Sequence, residues 1–174
     1  MLDSIFKLSA VKWLPIAFCL TIFSEISRAS GDTPTNCLSR SDAEKILGQT
    51  ARLTENSTIS KGETLRYEFT YTGISRDPET GKKENLFCLL EKYKHTSSAQ
   101  NVFATIIAQN QGNHKIERLK QTGDEAIFLS DHSNYHLVIV RKDNKIFRLK
   151  VNKVIRLTSV EELKKVAKDI ALKL

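Results

Sequence analysis

Residues 63–72, with the sequence ETLRYEFTYT, alternate regularly between apolar and polar side chains. A period of two residues is typical of a β-strand that has one face buried and the other in water. The chain must therefore build a sheet with a core on at least one side. The apolar face carries Leu65, Tyr67, Phe69 and Tyr71, and the polar face carries Arg66, Glu68 and Thr70.

Residues 135–140 and 145–151 are apolar segments of strand length that flank a polar turn at Lys142, Asp143 and Asn144. An Asp-Asn pair tolerates the positive φ angles of a tight turn, so these segments predict an antiparallel hairpin. In the second arm, apolar residues at every other position are expected to face the core: Phe147, Leu149 and Val151.

Shorter signals predict the remaining strands. Residues 86–93 are apolar on both sides at first, which is typical of a strand in the middle of a sheet. A short edge strand is predicted at 115–120 and another strand at 126–129. The segment 75–85 contains a proline, a glycine and charges of both signs, and it predicts a solvated loop.

Helical signals occur at three places along the chain. Ser41 and Glu44 have the spacing of a capping box at the start of a short helix, which Gly48 would end. Thr96 or Ser97 is predicted to be the N-cap of a second helix. The C-terminal residues form a third helix, with an apolar stripe at Val160, Leu163, Val166, Ala167 and Ile170. The order of elements predicts an α+β domain with a mainly antiparallel sheet and flanking helices.

The first 29 residues have the organisation of a secretory signal peptide. Two lysines precede an apolar run from Trp13 to Phe23. That run has the length of a signal-peptide core and is shorter than the roughly 20 apolar residues that span a bilayer. Ser27 and Ala29 place small residues at the third and first positions before a cut after Ala29. We therefore expect cleavage there and a secreted or periplasmic location.

Cleavage would divide the chain into a signal peptide at 1–29, a flexible lead-in at 30–36 and a single domain at 37–174. After processing we expect no stable membrane insertion. A membrane anchor that keeps the first segment is the alternative. Cys19 follows Phe18 inside the apolar run, and it is therefore a poor site for a lipid anchor.

Cleavage would also leave two of the three cysteines, Cys37 and Cys88. An even number of cysteines in an exported protein favours a disulfide, because the compartment is oxidising. The bridge would close a loop of roughly 50 residues, and loop-closure entropy puts its contribution at about 4 kcal/mol. Two buried free thiols are the alternative.

No catalytic, cofactor-binding or metal-binding motif stands out. The sequence contains no Gly-x-Ser-x-Gly nucleophile motif and no glycine-rich phosphate loop. His132 and His136 are four residues apart, but they span a loop-to-strand transition, and we interpret them as plain surface histidines. We predict no enzymatic activity, no cofactor and no metal site. Two acidic pairs are assigned to a turn and to the first turn of a helix: Asp124–Glu125 and Glu161–Glu162.

The net charge of +7 comes from lysines that are spread over predicted loops and helix surfaces. Since no aromatic residues are interleaved with them, the pattern does not predict nucleic-acid binding. It favours solubility or weak attraction to anionic envelope surfaces. The expected partner is an unknown protein or a small-molecule ligand, in the cell envelope or outside the cell.

Several of these features together resemble a family of small exported bacterial domains. They are Cys37 ahead of the helix at 41–48, Cys88 in mid-chain, the sequence GDEA at 123–126, the hairpin at 137–151 and the closing amphipathic helix. The chain resembles the extracytoplasmic sensor-like domains of actinobacterial lipoproteins and kinases, whose fold is similar to the PsbP group.

The resemblance covers most of residues 37–174. It implies an antiparallel sheet with flanking helices and a disulfide, and it implies no enzymatic activity and no particular ligand. It therefore assigns no site residues. The chain departs from the family at the hairpin tip, where Asp143 and Asn144 stand in place of a glycine, and in having no lipid-attachment cysteine.

We therefore expect a non-enzymatic exported module that binds a partner or a small ligand, with a sensor-like role. A secreted inhibitor or immunity protein that blocks an extracellular enzyme or toxin is the alternative, and a hydrolase is the third class. Binding predicts an apolar cleft with convergent polar groups. Inhibition predicts a protruding charged loop at 75–85, and hydrolysis predicts a buried carboxylate with a raised pKa.

Overall fold

The computed structural model describes residues 37–111, 116–131 and 134–174. These residues form three helices, α1 (Arg40–Leu47), α2 (Thr96–Asn110) and α3 (Val160–Lys173). They also form seven strands, β1 (Ala51–Lys61), β2 (Thr64–Gly73), β3 (Asn85–Lys92), β4 (Glu117–Arg118), β5 (Glu125–Asp131), β6 (Tyr135–Lys142) and β7 (Lys145–Asn152).

All seven strands belong to one antiparallel sheet with the order β1-β2-β3-β7-β6-β5-β4. The predicted α+β class with an antiparallel sheet is therefore confirmed. The predicted hairpin is β6–β7, and Asp143 at its tip has a φ angle of 51°. The hairpin places β7 at the centre of the sheet, where both of its faces are covered.

Helices cover both faces of the sheet. α1 and α3 pack on one face, against a core that includes Leu86, Phe147 and Leu149. α2 packs on the opposite face through Phe103, against a smaller group of apolar side chains from β5, β6 and β7. The predicted stripe of α3 is buried at four of its five positions, Leu163, Val166, Ala167 and Ile170.

The start of α1 corrects the predicted capping box. Ser39, not Ser41, is the N-cap, and its hydroxyl accepts a hydrogen bond from the Asp42 amide at 3.1 Å. Asp42, three residues after Ser39, takes the place in the capping box that Glu44 was expected to take. Glu44 instead accepts a hydrogen bond from the amide of Ala51 at 3.1 Å, which joins the helix to the first strand. The predicted end at Gly48 is confirmed by its left-handed φ angle of 63°.

The start of α2 also differs from the prediction. His95 is the N-cap and its side chain makes no capping hydrogen bond, whereas Thr96 and Ser97 lie inside the first turn. Apolar packing of Ala99 and Phe103 fixes this helix, since both are fully or nearly fully buried. The burial of these two side chains therefore stabilises α2 in place of the expected capping hydrogen bond.

Strand β1 has no counterpart among the predicted strands. Its sequence, ARLTENSTISK, has no alternation, and every residue after Ala51 is exposed. It pairs with β2 along its whole length, with a bulge between Leu53 and Glu55. An edge strand held mainly by backbone hydrogen bonds needs no apolar face, and its sequence therefore shows no period of two.

The predicted signal peptide and lead-in, residues 1–36, lie outside the described residues and stay predictions. In the described ranges, none of the three helices has the length and apolar character needed to cross a membrane.

Cys37 and Cys88 lie side by side in the core under α1. The structure contains them as buried free thiols, with 3.9 Å between the two sulfur atoms. The contact with the Cys37 thiol, together with complete burial, raises the pKa of Cys88 well above its ordinary value. The sequence separation and the burial are those that the disulfide prediction requires, and the bond itself stays a prediction.

We expect protein recovered from an oxidising compartment to contain a Cys37–Cys88 bond. The residues are 51 positions apart, so the bond constrains the unfolded chain, and we expect its reduction to lower the free energy of unfolding by about 2–4 kcal/mol. Peptide mapping of the unreduced protein would identify the linked peptides.

A Cys37→Ser/Cys88→Ser variant is the control for this measurement, because its unfolding should not respond to a reductant. Free thiols at both positions in exported protein would show that the pair stays reduced.

Candidate functional site

A cleft opens at one end of the sheet, where three chain segments meet. They are the turn after α1, the loop between β2 and β3, and the segment between β7 and α3. The cleft has a volume of about 260 Å³. We call it the loop cleft, and its lining residues are Gln49, 75–79 and 155–157.

Two glycines allow the walls of the loop cleft to approach one another. A Cβ atom at Gly48 would lie 2.3 Å from the carbonyl oxygen of Leu157, so only glycine fits between α1 and the segment before α3. A Cβ atom at Gly73 would lie 2.6 Å from the side chain of Gln49. The Gln49 side chain is thus held against the end of β2, where its Oε1 accepts a hydrogen bond from the Ser75 amide at 3.1 Å.

The wall formed by the β2–β3 loop is internally hydrogen-bonded. One carboxylate oxygen of Asp77 accepts hydrogen bonds from the amides of Glu79 at 3.1 Å and Thr80 at 2.7 Å, and from the Thr80 hydroxyl at 2.8 Å. The hydrogen bonds from Thr80 are the main reason that the pKa of Asp77 lies below its ordinary value. Arg76 spans the loop by donating to the Gly81 carbonyl at 3.0 Å. The loop is therefore preorganised, although most of its residues are exposed.

Glu84 lies beneath the loop cleft and is completely buried. The sequence predicts a solvated loop over 75–85, and this prediction is wrong for the last two residues. Asn85 begins β3, and Glu84 continues the alternation that buries Leu86 and Cys88 on the α1–α3 side. The alternation of buried side chains begins two residues before Leu86, the first residue of the predicted strand. Extending that alternation back to residue 84 would have identified Glu84 as buried.

Thr158 connects the Glu84 carboxyl to the start of α3. Its hydroxyl donates a hydrogen bond to Oε1 of Glu84 and accepts one from the amide of Ile155 at 3.1 Å. The other carboxyl oxygen, Oε2, is buried and has no hydrogen-bond partner among the described residues. A buried carboxylate oxygen without a hydrogen-bond donor disfavours the ionised form of Glu84.

Burial raises the pKa of Glu84 to about 7, and the hydrogen bond from Thr158 and the nearby Gln49 side chain only partly oppose this shift. The carboxyl is therefore close to half-ionised at neutral pH. Gln49 contacts both the loop cleft and this carboxyl, so it is the structural link between them.

A buried carboxyl with a raised pKa is the feature expected of a hydrolase. In this structure, however, Glu84 has no exposed surface and does not line the loop cleft. It faces Thr158 and Gln49, neither of which is an activated nucleophile or base. The protonation state of Glu84 can respond to changes at Gln49 and Thr158. The Glu84 side chain does not present an acid or a base to a molecule bound in the cleft.

The acidic pair at Asp124 and Glu125 is held by Arg141, whose side chain is only 8% exposed. Arg141 donates to Asp124 at 2.8 Å and to Glu125 at 2.7 Å. Partial burial raises the pKa of Asp124, but the amide of Asp143 and the ammonium group of Lys142 outweigh it and leave the pKa below its ordinary value. These carboxylates join the β5 turn to the hairpin tip, in agreement with their assignment to a turn.

The prediction of surface histidines is wrong for His136, the one residue of this pair that the structure describes. His136 is buried on β6, with its Nδ1 atom 2.8 Å from Oγ of Ser130, whereas His132 lies outside the described residues. The metal spacing of this pair is therefore not tested. Across the described ranges, no group of three or more His, Cys, Asp or Glu side chains could hold a metal ion. Glu161 and Glu162 lie in the first turn of α3, as predicted.

No protein-family model, curated protein or solved structure shows a significant match to this chain.

Replacing Glu84 with glutamine should change how stability depends on pH. The folded protein retains a proton on Glu84 between about pH 4.5 and about pH 7, which the unfolded chain has already released. Raising the pH through this window therefore lowers the free energy of unfolding, by about 3 kcal/mol at most. Glu84→Gln keeps the shape of the side chain and cannot titrate, so it should gain stability relative to wild type as the pH rises.

Denaturant unfolding at pH 5 and pH 8 would measure this effect. Glu79→Gln removes an exposed carboxylate from the same loop and serves as the control. An equal stability difference between wild type and Glu84→Gln at both pH values would contradict the assignment.

Proposed function

We propose that this protein is a non-enzymatic exported module that binds a small ligand in the loop cleft. The observation that supports this is the composition of the lining. Apolar surface from Pro78, Ile155 and Leu157 lies beside the polar groups of Gln49 and two arginines. Apolar walls with a few convergent polar groups are the usual design of a small-molecule site.

The two guanidinium groups favour a ligand that carries a carboxylate. Arg76 is already oriented by the Gly81 carbonyl, whereas Arg156 makes no hydrogen bond or ion pair with any described residue. Guanidinium groups bind carboxylates in a bidentate geometry that fixes the orientation of the ligand. Two acidic residues also line the cleft, Asp77 and Glu79, and the Asp77 carboxylate is occupied by the amides of its own turn.

The apolar part of the ligand would contact Leu157, whose side chain is 55% exposed. Exposed leucine next to guanidinium groups is an arrangement suited to a short-chain or aromatic carboxylate. The volume of about 260 Å³ restricts the ligand to a small one.

The sensor-like part of the proposal rests on Gln49 and Glu84. A ligand that displaces or polarises the Gln49 amide would alter the environment of the buried carboxyl. A change in the protonation of Glu84 then acts on Thr158 and the start of α3, and a change at the cleft could reach the helix layer by this route. The export part of the proposal rests on the sequence of residues 1–29 and on the neighbouring thiols of Cys37 and Cys88.

Titration with a panel of short-chain and aromatic carboxylates, followed by amide NMR, tests the proposal. We expect shifts confined to Gln49, residues 75–79 and residues 155–157. Leu157→Asn should weaken binding about tenfold, because it removes the apolar contact of roughly one side chain. Leu172→Asn, at a residue on α3 that is 76% exposed, is the matched control and should bind as wild type does.

Carboxylate binding that is unaffected by Leu157→Asn, or shifts centred away from the loop cleft, would contradict this assignment of the site. A panel of ester, peptide and glycoside substrates run alongside should show no turnover.

The alternative, a secreted inhibitor or immunity protein, has one observation in its favour. The β2–β3 loop is exposed and also preorganised by Asp77, and a preorganised loop loses little entropy when it docks into a partner protein. In that case Lys82→Glu would abolish binding to the target enzyme or toxin, whereas Leu157→Asn would not. Biolayer interferometry of both variants against the partner would distinguish the two functions.

A further inference from the structure

Strand β1 forms an unusual edge of the sheet. It has eleven residues, ten of which are exposed, whereas the opposite edge strand β4 has only two residues. An edge strand presents unpaired backbone N–H and C=O groups to any chain that can approach. Long edges normally have a proline, several charges or a bulge that prevents pairing. β1 has no proline, and its bulge lies near its start, between Leu53 and Glu55.

Beyond the bulge, residues 55–61 form a regular strand with the sequence ENSTISK. Their pairing with β2 shows which of them share a face. Glu55, Ser57, Ile59 and Lys61 lie opposite Thr70, Glu68, Arg66 and Thr64, so these four side chains are on one face of the sheet. A hydrogen bond of 2.7 Å from the Thr70 hydroxyl to Glu55 confirms this placement.

The charges of this segment are self-complementary. Glu55 and Lys61 are its only charged residues, and they lie on the same face, three positions on either side of Thr58. When two copies of the segment pair antiparallel about Thr58, each Glu55 lies directly opposite the Lys61 of the other copy. Lys61 makes no ion pair with any described residue of its own chain, so its ammonium group is available for this contact.

The same register also brings apolar surface together. Ile59 is 46% exposed, and pairing about Thr58 makes the two copies of Ile59 diagonal neighbours on one face. Diagonal side chains in antiparallel strands are close enough for long side chains to interact. Thr58 pairs with its own copy on the other face, and cross-strand threonine pairs are favourable. Registers centred on Ser57 or Ile59 lose the Glu55–Lys61 contacts.

We infer that two copies of this protein associate through β1, paired antiparallel about Thr58, to form one continuous sheet across a twofold axis. This inference is independent of the loop cleft. The cleft lies at the end of the sheet where β1 begins and β2 ends, whereas the pairing segment runs towards the turn between them. A twofold axis makes the interface isologous, so one self-complementary strand is sufficient for it.

Analytical ultracentrifugation of the purified protein, with charge-swap variants, tests the inference. Lys61→Glu places two pairs of glutamates opposite each other, and Glu55→Lys places two pairs of lysines. Each single change should weaken dimerisation about tenfold, since it replaces two attractive contacts by two repulsive ones. The double variant Glu55→Lys/Lys61→Glu restores both contacts and should dimerise as wild type does.

Lys120→Glu, which alters an exposed lysine between β4 and β5 at the opposite edge of the sheet, is the control and should leave the dimer unchanged. Hydrogen exchange of the amides of residues 55–61 should slow as protein concentration rises. A monomer at all concentrations would overturn the inference, even if these amides are protected, because another part of the same chain would then cover the edge. A dimer that is insensitive to both single swaps would overturn it as well.

Discussion

The burial of the Glu84 carboxyl, just before β3 begins, is the constraint on which the organisation of the loop cleft depends. A buried carboxylate without full hydrogen bonding is costly, so the surrounding groups determine whether it is ionised. Thr158 supplies one hydrogen bond, and Oε2 receives none from the described residues. The group is consequently balanced between its two protonation states near neutral pH. The segment that leads into α3 is attached to the sheet through this same carboxyl.

A contact between α1 and α3 strengthens the attachment of this segment to the sheet. The amide of Ser159, the N-cap of α3, donates a hydrogen bond of 2.9 Å to the carbonyl of Ile46 in α1. Gly48 then allows the turn after α1 to lie directly against Leu157. α1, α3 and the start of β3 therefore meet at one point, and the loop cleft lies just outside it. A binding event there acts on the junction of both helices with the sheet. The β1 edge is at the other end of its hairpin, so self-association would leave the cleft open.

The sequence predicts most clearly the elements that bury apolar surface, and it misses the long exposed edge strand β1. The alternation of residues 63–72, the hairpin at β6–β7 and the stripe of α3 are all visible because burial imposes a period on them. β1 is exposed along its length, so no period reveals it. Ser39 and Ser41 have equivalent capping chemistry, but in the structure Asp42 completes the box with Ser39, and Glu44 binds the Ala51 amide.

The candidate site was harder to predict than the fold. The charged run of residues 82–84 is typical of a solvated loop, and the burial of Glu84 comes from a side-chain alternation that continues past the apparent end of the strand. Gln49 lies more than 100 residues before Arg156 and Thr158, and no local pattern relates it to them. The even number of cysteines after cleavage predicts that Cys37 and Cys88 lie close together in the fold. The cleft, in contrast, is formed only by tertiary contacts, which no such count predicts.

The most direct measurement of the central claim is a titration of the Glu84 side-chain carboxyl by ¹³C NMR. Glu84→Gln would identify the resonance by its disappearance. The account predicts that this carboxyl titrates near pH 7, well above the ordinary glutamate value of 4.5. A midpoint close to 4.5 would show that water or a full set of hydrogen bonds reaches the carboxyl, and it would contradict the buried, half-ionised group on which the proposed coupling between cleft and helix layer depends.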